Sequence, residues 1–199
     1  LLEVFMRIVA QEISLLMLSA TIENEYFSFI KEGLFLNFEN VYYLNHGNMT
    51  IKNKPTDTVI YPHFLKKLLY KKIINDIKNT HQNRILIFCS KRNEVYFWER
   101  IAKHYKKNVW TCVGGEAFYF YARLKESSPD IIVATTVLSH GVNLPSLDRL
   151  YFTYDETNPS FYIQMVARGG RRGEDFKVFT LGKVNFKNIY KSYLDYFVG

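Results

Sequence analysis

From residue 64 onward, short apolar runs alternate with amphipathic helical segments, and no other feature of the sequence restricts the fold as strongly. The run at 84–89 (RILIFC) is apolar on both faces, as is typical of a strand buried within a parallel sheet. The predicted strands are 84–89, 108–113, 131–134, 150–154 and 177–181. The predicted helices are 64–79, 93–105, 116–126, 159–168 and 186–197. This order predicts an α/β fold with a central, mostly parallel sheet flanked by helices.

The first part of the chain does not follow this alternation. A buried strand is predicted at 13–18 and a short helix near 25–34, and the polar run at 45–58 is typical of a linker. We therefore expect three regions along the chain. They are a partial element over 1–50, a linker over 51–60 and one complete α/β domain over 61–199.

Composition excludes several classes of protein. The 199 residues are 48% hydrophobic and 23% charged, which excludes disordered and collagen-like chains. The longest apolar run, at 13–22, is too short to span a membrane. The two cysteines, Cys89 and Cys112, cannot form a disulfide framework, and the five histidines lack the spacing of metal ligands. We therefore expect a cytoplasmic protein with no bound zinc.

Positive charge is concentrated in one part of the chain. The net charge is +7, but residues 51–110 carry 14 basic side chains against 4 acidic ones, a local net charge of +10. Such a block attracts phosphate-bearing partners such as nucleic acids. Many of these lysines also fall on the polar face of a predicted helix, where they would only solvate it. Charge alone leaves both interpretations open.

The loops after the strands are the expected binding positions, because ligands of parallel α/β sheets bind beyond the carboxyl ends of the strands. Ser90, Lys91 and Arg92 follow one predicted strand, and Thr135 and Thr136 follow another. Hydroxyl and cationic groups there could hold a phosphodiester backbone without reading bases. Taken alone, however, a hydroxyl residue after a strand is more often a helix cap.

A cluster of arginines and glycines stands at the end of the predicted helix 159–168. Arg168 and Arg171 are three residues apart and would project from one face of a helix, with glycines at 169, 170 and 173 allowing close approach. Arginine forks bind phosphate oxygens and stabilise charge in phosphoryl transfer. The cluster therefore favours a phosphate site over a surface group of ion pairs.

Four segments, taken in order, resemble motifs III to VI of the superfamily 2 helicases. They are Ser19-Ala20-Thr21, RILIFCSKR at 84–92, IIVATTVLSHGVNLP at 131–145 and QMVARGGRRGED at 164–175. Within that superfamily the residues of these segments are most similar to those of the Ski-like group, although Ala167 stands where the family has glycine. The resemblance implies a RecA-like domain over 61–199, with residues 1–50 as the remnant of a first RecA-like domain that lies mostly before residue 1.

The resemblance also implies roles for particular residues. Arg168 and Arg171 would be arginine fingers that reach the γ-phosphate of ATP, which the first domain would hold together with Mg²⁺. Gln164, Gly141 and Asn143 would lie at the nucleotide. Coupling of ATP hydrolysis to domain movement would involve Ser19 and Thr21. The residues expected at the backbone of single-stranded or partly duplex RNA or DNA are Ser90, Lys91, Arg92, Gly114, Gly115, Thr135 and Thr136.

Other features of the sequence bear on this interpretation. No Gly-x-x-x-x-Gly-Lys-Ser/Thr occurs in the 199 residues, so this chain by itself is expected not to hydrolyse ATP. Asp155 and Glu156 are better explained as acids at a helix entry than as Mg²⁺ ligands. A non-catalytic nucleic acid binding module is the main alternative, whereas the absence of Gly-x-Gly-x-x-Gly disfavours a Rossmann-type enzyme. The aromatic run 118–121 could stack bases, but packing in the core is the simpler expectation.

Overall fold

The computed structural model describes residues 28, 32, 54–79, 84–124, 126–139, 144–183 and 186–198. The chain separates into two compact units, Leu1–Thr50 and Ile51–Gly199. In the first unit Ser28 and Glu32 are helical. The other expectations for that unit lie outside the described residues, including those for Ser19 and Thr21.

The second unit alternates strands and helices along the chain, as the apolar pattern predicts. A one-turn 3-10 helix at His63–Leu65 leads into the first α-helix, and another at Thr136–Ser139 follows the fourth strand. The strands are β1 Asp57–Pro62, β2 Ile85–Phe88, β3 Val109–Cys112, β4 Ile131–Ala134, β5 Arg149–Phe152 and β6 Lys177–Gly182. The helices are α1 Lys66–Asn79, α2 Arg92–His104, α3 Ala117–Leu124, α4 Pro159–Val166 and α5 Phe186–Val198.

The six strands form one sheet in the order β1-β6-β5-β2-β4-β3, and every neighbouring pair is parallel. The predicted α/β fold with a helix-flanked parallel sheet is therefore confirmed. All four residues of β2 and of β4 are buried, because helices cover both faces of the sheet. The apolar faces of α1 and α2 pack on one side, and those of α3 and α4 on the other.

The strand β1 corrects the predicted linker at 51–60. Residues Asp57–Pro62 pair with β6 along their whole length, so the sheet begins at residue 57. Val59 and Tyr61 are buried in the core cluster that α1 covers. The polar residues before the strand and the short alternation within it hide this edge strand from a search for apolar runs.

A polar cluster is buried between α1 and the sheet. The carboxylate of Asp76 accepts a hydrogen bond from the Tyr151 hydroxyl and forms an ion pair with Arg149. The ammonium of Lys72 lies 3.9 Å from Asp76, and both side chains are only 5% exposed. Burial, followed by the charge of Asp76, raises the pKa of Tyr151 well above its ordinary value. These polar groups satisfy one another inside an otherwise apolar layer.

The C-terminal helix α5 is attached to the sheet edge by polar contacts. Asp195 accepts a hydrogen bond of 2.8 Å from the Tyr61 hydroxyl and lies 4.0 Å from the Lys72 ammonium. Lys191 pairs with Asp57 at the start of β1. The helix therefore protects the edge strand that the sequence did not reveal.

The remaining general expectations concern cysteines and membranes. Cys89 and Cys112 are free and buried, and burial raises the pKa of the Cys112 thiol to about 12, so neither cysteine resembles a reactive thiolate. Within the described parts of the chain, no helix is long and apolar enough to cross a membrane.

Candidate nucleic-acid and phosphate site

Three of the loops singled out in the sequence follow neighbouring strands. The ladder between β2, β4 and β3 continues past the strand ends, where the Cys89 amide donates to Ala134 over 2.8 Å and the Thr135 amide donates to Cys112 over 3.1 Å. Because parallel strands end at one edge of the sheet, this register brings the three loops together. The loops begin with Ser90, Thr135 and Val113.

The loop after β2 presents an exposed cationic segment. Ser90, Lys91 and Arg92 are all exposed, and the Arg92 guanidinium donates a hydrogen bond of 3.1 Å to the backbone carbonyl of Gly114. The helix α2 takes Lys91 as its N-cap residue, without a side-chain capping bond. The capping interpretation of Ser90 therefore does not apply, and the exposed Ser90 immediately precedes two exposed cationic residues.

The turn after β3 brings exposed backbone to the same edge. Gly115 has a φ of 90°, in the left-handed region that favours glycine. A Cβ at Gly114 or Gly115 would meet nothing within 4 Å, so the space beside this turn is open. A polymer backbone could approach the turn closely.

The two arginines of the glycine-rich segment have different environments. The helix α4 ends at Val166, so the prediction that Arg168 and Arg171 share one helix face is wrong. Gly170, with a φ of 63°, belongs to the turn that replaces the end of the predicted helix. Arg168 is 4% exposed, whereas Arg171 is exposed and donates from Nε to the Ala167 carbonyl over 3.1 Å.

The buried arginine joins two segments that are distant in sequence. The guanidinium of Arg168 donates to the backbone carbonyl of Ser139, at the end of the loop after β4. Burial, with the nearby charge of Arg171, lowers the pKa of Arg168 to about 10, so the side chain remains a cation at neutral pH. The arginine segment and the Thr135–Ser139 loop are thus linked directly.

The glycine at 169 is required by packing. A Cβ there would lie 2.3 Å from Cδ2 of the Phe176 ring, which is closer than any real contact. Phe176 is itself buried in the core cluster beneath α4. This ring explains why position 169 carries glycine.

The acid Glu156 lies two residues before the N-cap of α4. Glu156 accepts a hydrogen bond of 3.0 Å from the Asn158 amide, and Asn158 caps α4, which confirms the helix-entry role expected of this acid.

Phe118 and Tyr119 are 77% and 72% exposed, so the expectation that the aromatic run is packed in the core is wrong for these two. Phe120 alone of the run is fully buried.

Two of the remaining candidate residues belong to the described residues, and two lie outside them. Gln164 is half-buried on α4 and Thr136 is exposed. Gly141 and Asn143 lie outside the described residues. Among the residues that the structure describes, no group of three or more His, Cys, Asp or Glu side chains is placed to hold a metal ion.

The chain matches the model of a known protein family. The model of the helicase conserved C-terminal domain matches residues 63–173, which is more than half of the chain. The match includes the β2, β3 and β4 loops and the arginine segment. No curated protein matches this chain in sequence.

Solved structures share the fold at low sequence identity. S. cerevisiae Dbp5 bound to RNA and ADP BeF3 is 16% identical, with a TM-score of 0.60 over 90% of this chain and 48% of that one. Domain 2 of the DEAD-box helicase Mss116p, bound to an RNA duplex, is 15% identical, with a TM-score of 0.53 over 63% of this chain and 53% of that one. The DUF1998 helicase MrfA, bound to DNA and AMPPNP, is 16% identical, with a TM-score of 0.51 over 69% and 21%. This chain therefore spans about half or less of these structures.

Proposed function

Because the chain belongs to the helicase C-terminal domain family, we propose that it forms the second motor domain of an ATP-dependent nucleic acid helicase or translocase. Its partner would be single-stranded or partly duplex RNA or DNA. Structures of the same fold bind RNA in two cases and DNA in another, and two of them hold a nucleotide analogue. Residues 1–50 would then be the last part of a preceding RecA-like domain. Membership of the Ski-like group stays a prediction.

The hydrogen bond from Arg168 to Ser139 is the observation that carries this proposal. A motor must transmit the state of its phosphate site to the polymer that it moves. One end of this contact belongs to the arginine segment, and the other to the loop that begins with Thr135 and Thr136. A conformational change in either segment would be transmitted to the other through the buried guanidinium of Arg168.

Arg171 is the residue proposed to act on phosphate directly. Its side chain is exposed beside Gly170 and Gly173, and a guanidinium fork fits phosphate oxygens. ATP with Mg²⁺, bound mainly by the first domain, would supply the phosphoryl group for hydrolysis. Arg171 would stabilise negative charge that develops in the transition state. Arg168 is proposed to act at the same site, with part of its guanidinium committed to Ser139.

The loops after β2, β3 and β4 are proposed to hold the nucleic acid backbone. Lys91 and Arg92 would neutralise phosphates, while the Gly114-Gly115 turn and the hydroxyls of Thr135 and Thr136 would provide close uncharged contacts. Such contacts carry no sequence information, so the grip would be general. The nucleotide-side roles of Gln164, Gly141 and Asn143, and the coupling role of Ser19 and Thr21, remain part of the proposal.

The test is ATP hydrolysis by the full-length protein with and without a single-stranded RNA or DNA. We expect turnover that rises when a strand is added, and strand displacement on a partly duplex substrate. Binding of the strand without any hydrolysis would instead support a non-catalytic nucleic acid binding module. Hydrolysis that no nucleic acid stimulates would contradict the motor assignment.

A further inference from the structure

Two neighbouring aromatic side chains are exposed on the first turn of α3. Phe118 and Tyr119 are 77% and 72% exposed, whereas Phe120 beside them is 3% exposed. An exposed aromatic ring leaves a large apolar area in water, and two together form a feature that suits a ligand with a flat face. The core of the domain does not use these rings.

The pair stands next to the loops proposed to hold the nucleic acid backbone. Phe118 is three residues beyond Gly115, so their Cα atoms are at most about 11 Å apart. Gly114, in the same turn, accepts the hydrogen bond from the exposed Arg92. A polymer held at this turn would pass within reach of both rings.

A second cation lies in the last turn of α3, beyond the two rings along the chain. Arg123 is one helical turn beyond Tyr119 and therefore on the same face of α3. Its guanidinium carbon lies 4.2 Å from the centroid of the Trp110 ring, which fixes the cation in place, and the residue is exposed. Along the chain the rings thus lie between Gly114, which accepts the hydrogen bond from Arg92, and Arg123, and this order suits a chain of phosphates carrying flat apolar groups.

The ring geometry limits how many bases the pair can hold. The centroids of Phe118 and Tyr119 are 6.0 Å apart and their planes are inclined by 80°. A base stacked on one ring therefore meets the other ring with its edge, and a continuous stack across both rings is not possible. The pair suits one unpaired base rather than a base pair within a duplex.

We propose that Phe118 and Tyr119 stack one base of a single-stranded nucleic acid whose phosphates are held by Arg92 and Arg123. This inference rests on the proposed function, because it adds a base contact to the proposed backbone grip. Stacking tolerates any base, since every base has a π face. The site therefore distinguishes unpaired strands from duplexes and leaves base sequence unread.

The experiment measures binding of the full-length protein to two labelled strands of equal length, roughly 12 nucleotides, within the range that single-strand sites occupy. One strand carries bases and the other is abasic throughout, so that the phosphate charge is the same. The variant with both Phe118→Ala and Tyr119→Ala should bind the base-bearing strand about tenfold more weakly. Its affinity for the abasic strand, and the dependence of both affinities on salt, should stay unchanged.

Two further variants serve as controls. Exchange of the rings, Phe118→Tyr with Tyr119→Phe, should retain wild-type affinity because both rings remain. Tyr190→Ala removes a ring that is 70% exposed on α5 and should leave both affinities unchanged. Either an unchanged affinity of the double alanine variant for the base-bearing strand or an equal loss on both strands would overturn the stacking site alone. Failure of the wild-type protein to bind either strand would overturn the proposed function together with this inference.

Discussion

The guanidinium of Arg168, just beyond the end of α4, donates a hydrogen bond to the backbone carbonyl of Ser139, in the loop that follows β4. Both residues are buried, at 4% and 1% exposure. The contact joins two segments that are 29 residues apart in the chain. It makes Arg168 part of the structure of the domain as well as a candidate for its chemistry, and it separates this arginine from the exposed Arg171.

Replacement of Arg168 by alanine should therefore lower stability as well as activity. The buried Ser139 carbonyl would lose a charged donor, which costs about 1–3 kcal/mol in the free energy of unfolding. Urea denaturation of the variant measures this loss. Arg172→Ala, which removes an exposed guanidinium from the same segment, should change the free energy of unfolding by less than about 0.5 kcal/mol. Equal stability of the two variants would contradict a structural role for Arg168.

Replacement of Arg171 by alanine should affect turnover without affecting stability. An arginine that stabilises only the transition state raises kcat, and such residues contribute roughly 10³–10⁵ to the rate. In the full-length enzyme, kcat for ATP should fall by that order while KM changes little. Steady-state ATPase kinetics in the presence of a saturating strand measure both constants. An unchanged kcat would show that Arg171 has only a surface role, and Arg172→Ala again serves as the matched control.

The cationic loop after β2 should determine the salt dependence of strand binding. For a single strand, the slope of log affinity against log salt is about −0.7 for each phosphate neutralised. Replacing Lys91 and Arg92 together by alanine should therefore flatten the slope by about 1.4. Alanine at Lys103 and Arg100, near the other end of α2, removes the same charge and should leave the slope nearly unchanged. A wild-type slope in the Lys91 and Arg92 variant would show that these cations only solvate the surface.

The Thr135 hydroxyl, at the same edge of the sheet, allows an uncharged contact to be tested. Thr135→Val removes one hydrogen-bonding group and keeps the shape of the side chain, so strand binding should weaken by about 1 kcal/mol. The salt slope should stay as in the wild-type protein, because no phosphate neutralisation is lost. Titrations at several salt concentrations separate the two effects. A flattened slope would mean that the valine disturbs the neighbouring cations, contrary to this expectation.

The sequence predicts most of the sheet because its inner strands are strongly patterned. The runs at 85–89 and 131–134 are apolar throughout, and the structure places strands in both. The edge strand β1 escapes prediction because half of its residues are only partly buried and polar residues precede it. The candidate loops could be found because they follow those strands.

The environments of individual site residues could not be predicted from spacing. Arg168 and Arg171 are three residues apart, which suggests one helix face, yet the glycines between and after them end the helix and send the side chains to different environments. The exposure of Phe118 was missed because aromatic residues are usually buried. Tertiary contacts such as Arg168 with Ser139 depend on the register of the whole sheet, which no local pattern encodes.

The buried cluster around Asp76 gives the last prediction, which concerns the stability of the domain. Asp76→Asn keeps the shape of the side chain and an oxygen for the Tyr151 hydroxyl, but it leaves the buried Lys72 and the half-buried Arg149 without this carboxylate charge. Removing one partner of a buried ion pair costs about 3–5 kcal/mol, and Asp195, 4.0 Å from Lys72, can offset only part of that loss.

Asp57→Asn is the matched comparison for this variant, because Asp57 also pairs with a lysine but both side chains are 38% exposed. Exposed pairs contribute about 0–1 kcal/mol, since water solvates the charges that remain. Urea denaturation at neutral pH should therefore separate the two variants by at least about 2 kcal/mol in the free energy of unfolding. The difference should persist in high salt, which screens the Asp57 pair and leaves the buried cluster largely unaffected. If both variants cost less than about 1 kcal/mol, the cluster contributes to the fold only by filling space, and the charge of Asp76 is not what stabilises it.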